Sequence, residues 1–108
     1  MQTKSKIETY LGFAIKKRAL ITGSDSVSRL KKANLVVVCA TASENAKKEA
    51  QGISKKLNCY LIESKIPLED VTGKLNCKIA AVTDENLASA IVNNLNENFS
   101  VISGGNVR

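Results

Sequence analysis

The apolar positions of this chain of 108 residues follow two different spacings. Ile7, Leu11, Ala14 and Ile15 recur at helical intervals. They predict an amphipathic helix over residues 4–17. Residues 35–40 instead form a continuous apolar run that is rich in β-branched side chains, which is typical of a strand buried on both faces.

Helical and strand-like patterns continue to alternate along the rest of the chain. Further strands are predicted at 19–22, 59–62 and 79–82, and further helices at 24–32, after Ser43, after Pro67 and after a cap formed by residues 83–85. This alternation predicts an α/β fold, a three-layer α/β/α sandwich around a mixed central sheet of about four strands. We expect a single domain over residues 1–99, followed by a flexible tail over residues 100–108.

Several of these boundaries carry residues that start or stop helices. Ser43 is a candidate N-cap, and Glu44 follows it in the first turn, where a carboxylate is favourable. Pro67 is tolerated only in the first turn of a helix, and Gly73 is expected to end the short helix that Pro67 opens.

The charges along the chain are unevenly distributed. Residues 1–60 carry a balance of +8 and residues 61–108 a balance of −2, within a net charge of +6. A basic half of this kind favours a polyanionic partner such as RNA or DNA. No apolar run approaches the roughly 20 residues of a membrane span, and the cations at 16–18 interrupt any signal-peptide core. We therefore expect a cytoplasmic protein without a membrane partner.

The cysteine and histidine content argues against metal sites and enzymatic chemistry. Cys39, Cys59 and Cys77 are widely spaced, and the chain has no histidine, so a structural zinc site lacks a fourth ligand. Cysteine–histidine catalysis is excluded for the same reason. We predict no catalytic residues, no metal and no cofactor, and we interpret Cys39 as a small buried apolar residue.

The most informative segment of the chain is 22–32. Gly23 separates a short strand from a Ser/Asp/Ser cluster, and a basic segment follows. A glycine turn leading into a helix presents backbone N–H groups that suit phosphate. The candidate RNA-binding residues here are Gly23, Ser24, Asp25, Ser26, Arg29 and Lys32.

Five blocks of sequence, taken in order, resemble one known family. They are 11–14, 20–23, 35–38, 42–45 and 81–85. This order and spacing resemble the bacterial branch of the ribosomal protein L-seven-Ae superfamily, over about residues 7–95. The resemblance implies a small α/β/α protein that binds kink-turn RNA.

The family carries its RNA motif, Gly-x-Asn-Glu-x-x-Lys, at the start of the second helix. Here Gly23 keeps the glycine, and Arg29 stands in the position of the lysine. Asp25 and Ser26 replace the Asn-Glu pair that reads sheared G·A pairs in the family. The resemblance therefore implies contacts to phosphate with reduced selectivity for bases, since a good bidentate base contact is worth roughly 1–3 kcal/mol.

The resemblance also implies a second contact surface between the third and fourth strands. Lys65 matches a family lysine that approaches phosphate, and Gly73 matches a glycine before the specificity loop. That loop would flank an extruded nucleotide with Lys74, Leu75 and Lys78.

Three functions of different classes compete at this point. The first is an RNA-binding protein of ribosomal type, which recognises a kink-turn or similarly bent RNA as a monomer, with the ribosome as a candidate partner. The second is a ribosome-associated or protein-interaction adaptor on the same fold with weak, nonspecific RNA binding, suggested by Glu63, Glu69 and Asp70. An enzyme ranks last.

Because Phe13 and Tyr60 fall on expected core faces, no exposed platform for stacking single-stranded bases is expected.

Overall fold

The structure is a computed structural model, which describes residues 6–73 and 77–103. Five helices alternate with five strands over these residues. They are α1 Lys6–Lys16, β1 Leu20–Thr22, α2 Ser24–Ser28, β2 Leu35–Cys39, α3 Glu44–Leu57, β3 Tyr60–Ser64, α4 Leu68–Thr72, β4 Ile79–Val82, α5 Glu85–Val92 and β5 Phe99–Ser103.

The strands form one mixed sheet in the order β1-β4-β2-β3-β5. β2 and β3 are parallel, whereas β4 is antiparallel to both β1 and β2, and β5 is antiparallel to β3. β1, β2 and β3 therefore all point in one direction. We call the side of the sheet where these three strands end the carboxyl edge, and the side where they begin the amino edge.

The helices cover both faces of this sheet, and each face has its own core. On one face, Val36 and Val38 pack with residues of α2 and α3. On the other face, Leu35, Val37 and Cys39 pack with residues of α1, α4 and α5. Since alternate residues of a strand point to opposite faces, β2 is buried on both of its sides. The predicted three-layer α/β/α sandwich is confirmed, and so is the burial of Cys39.

The sheet has one strand more than the sequence predicts. β5 occupies residues 99–103, whereas the sequence predicts a flexible tail from residue 100. Phe99 explains the difference, because its side chain is fully buried in the core and fixes the start of the strand. From there Val101 pairs with Ile62 of β3. The remainder of the expected tail, residues 104–108, lies outside the described residues.

The second helix is shorter than predicted, ending at Ser28 and not at residue 32. The N–H of Arg29 donates to the carbonyl of Ser26 at 3.3 Å, and the N–H of Leu30 donates to that of Val27 at 3.1 Å. These bonds span three residues, so the helix tightens and stops there. Residues 31–34 then form the loop to β2.

The predicted starts of α3 and α4 and the predicted end of α4 are confirmed. α1 spans Lys6–Lys16 within the predicted range 4–17, and residues 4 and 5 of that range lie outside the described residues. The Ser43 hydroxyl accepts a hydrogen bond of 3.1 Å from the N–H of Ala46, as an N-cap does. α4 begins directly after Pro67 and ends at Gly73, which adopts the left-handed conformation with φ 74°. Within residues 6–73 and 77–103, no helix combines the length and the apolar content that crossing a membrane requires.

Candidate nucleic-acid interface

Backbone hydrogen bonds align several of the predicted site residues along the carboxyl edge. The N–H of Gly23 donates to the carbonyl of Ile79 at 3.0 Å, and the N–H of Cys39 donates to that of Lys78 at 2.8 Å. Two more bonds of 2.8 Å continue the row. The N–H of Ala40 donates to the carbonyl of Ser64, and the N–H of Lys65 donates to the carbonyl of Asn98. The start of α2, Lys78 and Lys65 therefore lie along one edge, in the order of their strands.

Gly23 has a backbone conformation that suits glycine alone. Its φ is 94° and its ψ is 140°, a combination of backbone angles that residues other than glycine avoid. A Cβ atom placed on Gly23 would meet nothing within 4 Å, so the turn faces open space. A partner can therefore approach this part of the backbone.

The first turn of α2 has no capping side chain, whereas α3 and α5 are capped by Ser43 and Asp84. The first N–H groups of any helix have no partner within the helix. Asp25 and Ser26 are exposed in this turn, and Ser24 is half-buried. The geometry leaves this turn open to hydrogen-bond acceptors from outside the protein.

Lys78 and Lys65 supply cations along the same edge. The Lys78 ammonium donates a hydrogen bond of 3.1 Å to the hydroxyl of Thr41, in the loop after β2. This bond holds the Lys78 side chain across the end of β2. Lys65 is exposed directly after β3. The predicted loop residues Lys74 and Leu75 lie outside the described residues.

Arg29 and Lys32 are not grouped with these two lysines. Arg29 is the C-cap of α2, at the opposite end of the helix from Gly23. Lys32 lies in the loop that enters β2 at the amino edge, where the N–H of Asn34 donates to the carbonyl of Val82 at 2.8 Å. The five residues of β2 separate the two edges by roughly 13 Å. The predicted site thus extends along α2 and is not one compact patch.

The carboxyl edge carries nearly balanced charges. Lys47 of α3 pairs with Glu63 of β3 at 3.7 Å. This pairing reduces the attraction of Lys47 for an anion outside the protein. Asp25 and Glu44 add carboxylates at the starts of α2 and α3. Binding at this edge therefore relies on backbone N–H groups and a few lysines more than on a strong electrostatic field.

Two cysteines lie beneath this edge in different environments. Burial of the Cys39 thiol raises its pKa, but hydrogen bonds from Thr41 and the Leu68 backbone, with the charge of Lys78, outweigh it and lower that pKa. Burial raises the pKa of the Cys77 thiol above its ordinary value. Both cysteines are buried and neither forms a disulfide, which is typical of cysteines that act as small apolar residues of the core.

One aromatic residue is not where the sequence analysis placed it. Phe13 is 49% exposed on α1, beside Gly12 and Lys16, whereas Tyr60 packs partly against the core as expected. The prediction for Phe13 is wrong because the buried stripe of α1 consists of Ile7, Leu11 and Ala14. Ile15, which the sequence predicts to share that stripe, is 37% exposed. Phe13 is two positions from Leu11, and a helix turns such a residue away from the stripe. The spacing alone could have shown this.

Comparisons with known proteins bear on the fold. No model of a known protein family matches the chain, and no curated protein matches it. Among solved structures, the fold is similar to that of a protein of unknown function from Bacillus halodurans. The two chains share 20% sequence identity with a TM-score of 0.76, over 83% of this chain and 96% of the other. This similarity supports the α/β architecture.

Proposed function

We propose that the protein binds structured RNA, of the kink-turn or a similarly bent kind, along its carboxyl edge. The observation that carries the proposal is the alignment of the α2 first turn with Lys78 and Lys65 by backbone hydrogen bonds. Open space at Gly23 lets a phosphate approach the backbone. The resemblance to the ribosomal L-seven-Ae superfamily adds the expectation that the RNA is bent.

The mechanism is docking, without a chemical step. The first turn of α2 meets the bent strand, and Lys78 and Lys65 neutralise phosphates farther along the same edge. Arg29, at the far end of α2, contacts the strand as it continues toward the amino edge. A protein that prefers the kinked RNA shifts the RNA toward that state by the difference in affinity.

Recognition at this edge rests on shape more than on base sequence. Asp25 has no amide donor, and Ser26 is short and uncharged. Contacts from backbone N–H groups and lysines position an RNA but do not read its bases. We propose a cytoplasmic, monomeric protein, for which ribosomal RNA is a candidate target.

The test is a titration of a kink-turn hairpin against a straight RNA duplex. We expect the hairpin to bind more tightly. The double variant Lys65→Gln/Lys78→Gln should reduce this preference, since it removes the two cations that the proposal assigns to phosphates at this edge. The matched control Lys31→Gln/Lys55→Gln removes the same charge from exposed positions near the amino edge and should keep the preference. Equal affinities of the parent for both RNAs contradict the proposal.

The adaptor alternative makes a different prediction in the same system. An adaptor with degraded RNA specificity should bind both RNAs weakly and with a steep salt dependence. Its protein partners should survive nuclease treatment. Partners that disappear after nuclease treatment support the RNA-binding proposal instead.

A further inference from the structure

The strongest concentration of positive charge lies at the amino edge, where Arg29 is the residue shared with the RNA contacts proposed above. α1, α2 and α3 each run from the carboxyl edge toward the amino edge, and the end of each helix or the loop after it is basic. The cations are Lys16–Arg18, Arg29, Lys31, Lys32, Lys55 and Lys56, and every one of them is exposed. We call this set the amino-edge basic surface.

Few carboxylates oppose these cations. Among residues 6–73 and 77–103, the segments at this edge carry two acidic residues, Asp84 and Glu85, just after β4. Asp84 pairs with Lys17. No carboxylate of the described residues pairs with Lys31 or Lys32. The surface therefore keeps most of its positive charge.

Two hydrogen bonds, one between backbone groups and one from a side chain, hold the basic segments next to one another. The N–H of Thr83 donates to the carbonyl of Ala19 at 2.8 Å, which joins the loops that flank β1 and β4. The Lys56 ammonium donates to the carbonyl of Ser28 at 3.3 Å and ties the end of α3 to the end of α2. From β1 through β4 and β2 to β3 the surface spans three strand spacings, or about 14 Å.

Compensation of helix dipoles explains only part of this pattern. Lys16, Lys55 and Lys56 lie in the last turns of their helices, where a cation is favourable. Lys31 and Lys32 are outside any helix, in the loop after α2. Because the dipole effect falls off within the last turn, it gives no reason for cations there.

We infer that the amino-edge basic surface binds the phosphate backbone of double-stranded RNA, independently of sequence. A duplex presents regularly spaced phosphates and needs no stacking partner, whereas single-strand binders use exposed aromatic side chains. Near these segments, Tyr60 is half-buried against the core, and Phe13 is an exposed ring beside Lys16 on α1. One exposed ring provides no platform for stacking successive bases, which favours a duplex.

This inference goes beyond the proposed function, because the two edges lie at opposite ends of the strands. The carboxyl edge recognises a bend, while the amino edge supplies attraction for any duplex. Each phosphate neutralised contributes about one unit to the slope of log affinity against log salt concentration. The contribution of this surface can therefore be measured separately.

The experiment titrates the full chain with a straight RNA duplex at several salt concentrations. The variant Lys31→Gln/Lys55→Gln removes two exposed cations that lie outside the proposed carboxyl-edge site. We expect roughly a ten- to hundredfold loss of duplex affinity near 0.1 M salt, and a salt slope that is smaller by about two. Lys31→Arg/Lys55→Arg keeps the charge and should keep the parent affinity.

The control Lys6→Gln/Lys48→Gln removes the same charge elsewhere and should leave the salt slope unchanged. An equal loss in this control would overturn the inference, and so would a parent chain that does not bind the duplex. Tighter binding to a DNA duplex, or binding to phosphatidylserine vesicles in place of RNA, would also overturn it. Preference for a kink-turn hairpin over the duplex tests the carboxyl edge alone, so the two proposals can fail independently.

Discussion

The N–H of Gly23 donates a hydrogen bond of 3.0 Å to the carbonyl of Ile79, which joins the end of β1 to the start of β4. The same bond fixes Gly23 at φ 94° just before α2. The position where α2 begins is therefore set by the sheet and not by a capping side chain. This arrangement keeps the first turn of α2 accessible at the carboxyl edge.

Replacement of Gly23 by alanine should destabilise the fold through backbone strain. The new Cβ has open space around it, so no steric clash with neighbours contributes. A non-glycine residue held in such a region costs on the order of 1–3 kcal/mol. Chemical denaturation of Gly23→Ala should show a loss of this size in the free energy of unfolding.

Gly52→Ala is the matched control for this substitution. Gly52 is also surrounded by open space, but it lies inside α3, where alanine is the better helix former. The free energy of unfolding should rise by roughly 0.5–1 kcal/mol. Changes of opposite sign in the free energy of unfolding of Gly23→Ala and Gly52→Ala support backbone strain at Gly23. Changes of equal sign and size would contradict it.

Loss of the Ser43 hydroxyl should destabilise α3. This hydroxyl accepts a hydrogen bond from the N–H of Ala46, and alanine at an N-cap costs about 1 kcal/mol. Thermal or chemical unfolding of Ser43→Ala measures the loss. Ser89→Ala, at an exposed position inside α5, removes a hydroxyl that caps no helix and should be close to neutral. A neutral Ser43→Ala would show that the cap contributes little.

Local signals in the sequence were sufficient to predict much of this fold. Ser43, Pro67 and Gly73 act within one helical turn, so their roles can be inferred from neighbouring residues alone. β5 could not be predicted in the same way. Its formation depends on the burial of Phe99 and on pairing with β3, and both are long-range contacts.

The charge pattern shows the same limit. The sequence places the excess of cations in residues 1–60, whereas the structure groups them by edge. Lys31 and Lys55 lie at the same edge because each precedes one of two neighbouring parallel strands, β2 and β3. Sheet order decides that placement, and no local pattern encodes it. For the same reason, the sequence does not show that Arg29 and Lys32 lie at the opposite end of α2 from Gly23.

The buried thiol of Cys59 should make stability depend on alkaline pH. Burial raises the pKa of Cys59 from its ordinary value of 9.0 to about 11. The unfolded chain then loses this proton at a lower pH than the folded chain does. The stabilisation by the protonated Cys59 thiol is complete below about pH 9 and is lost as the pH rises through 11. Over this range the free energy of unfolding falls by up to about 1.4 kcal/mol per pH unit.

Unfolding of the parent chain and of Cys59→Ala across this pH range, under reducing conditions, measures the effect. The variant is less stable overall, because it loses buried volume, so the slope with pH is the diagnostic quantity. The parent should lose stability more steeply than the variant between pH 9 and pH 11. Parallel curves would show that the Cys59 thiol does not titrate differently on folding.

Asp25→Asn should strengthen RNA binding while it slightly weakens the fold. The substitution removes a negative charge from the exposed first turn of α2 and adds an amide donor at the position where the resembling family has asparagine. One recovered base contact is worth roughly 1–3 kcal/mol of affinity for a kink-turn hairpin. Loss of the carboxylate from the helix start costs about 0.3–1 kcal/mol of stability.

Glu44→Gln removes the same charge from the first turn of α3, so it should show a similar stability loss without the gain in preference for the hairpin over the duplex. A gain of equal size in both variants would mean that charge alone is responsible and that Asp25 does not face the bases of the RNA.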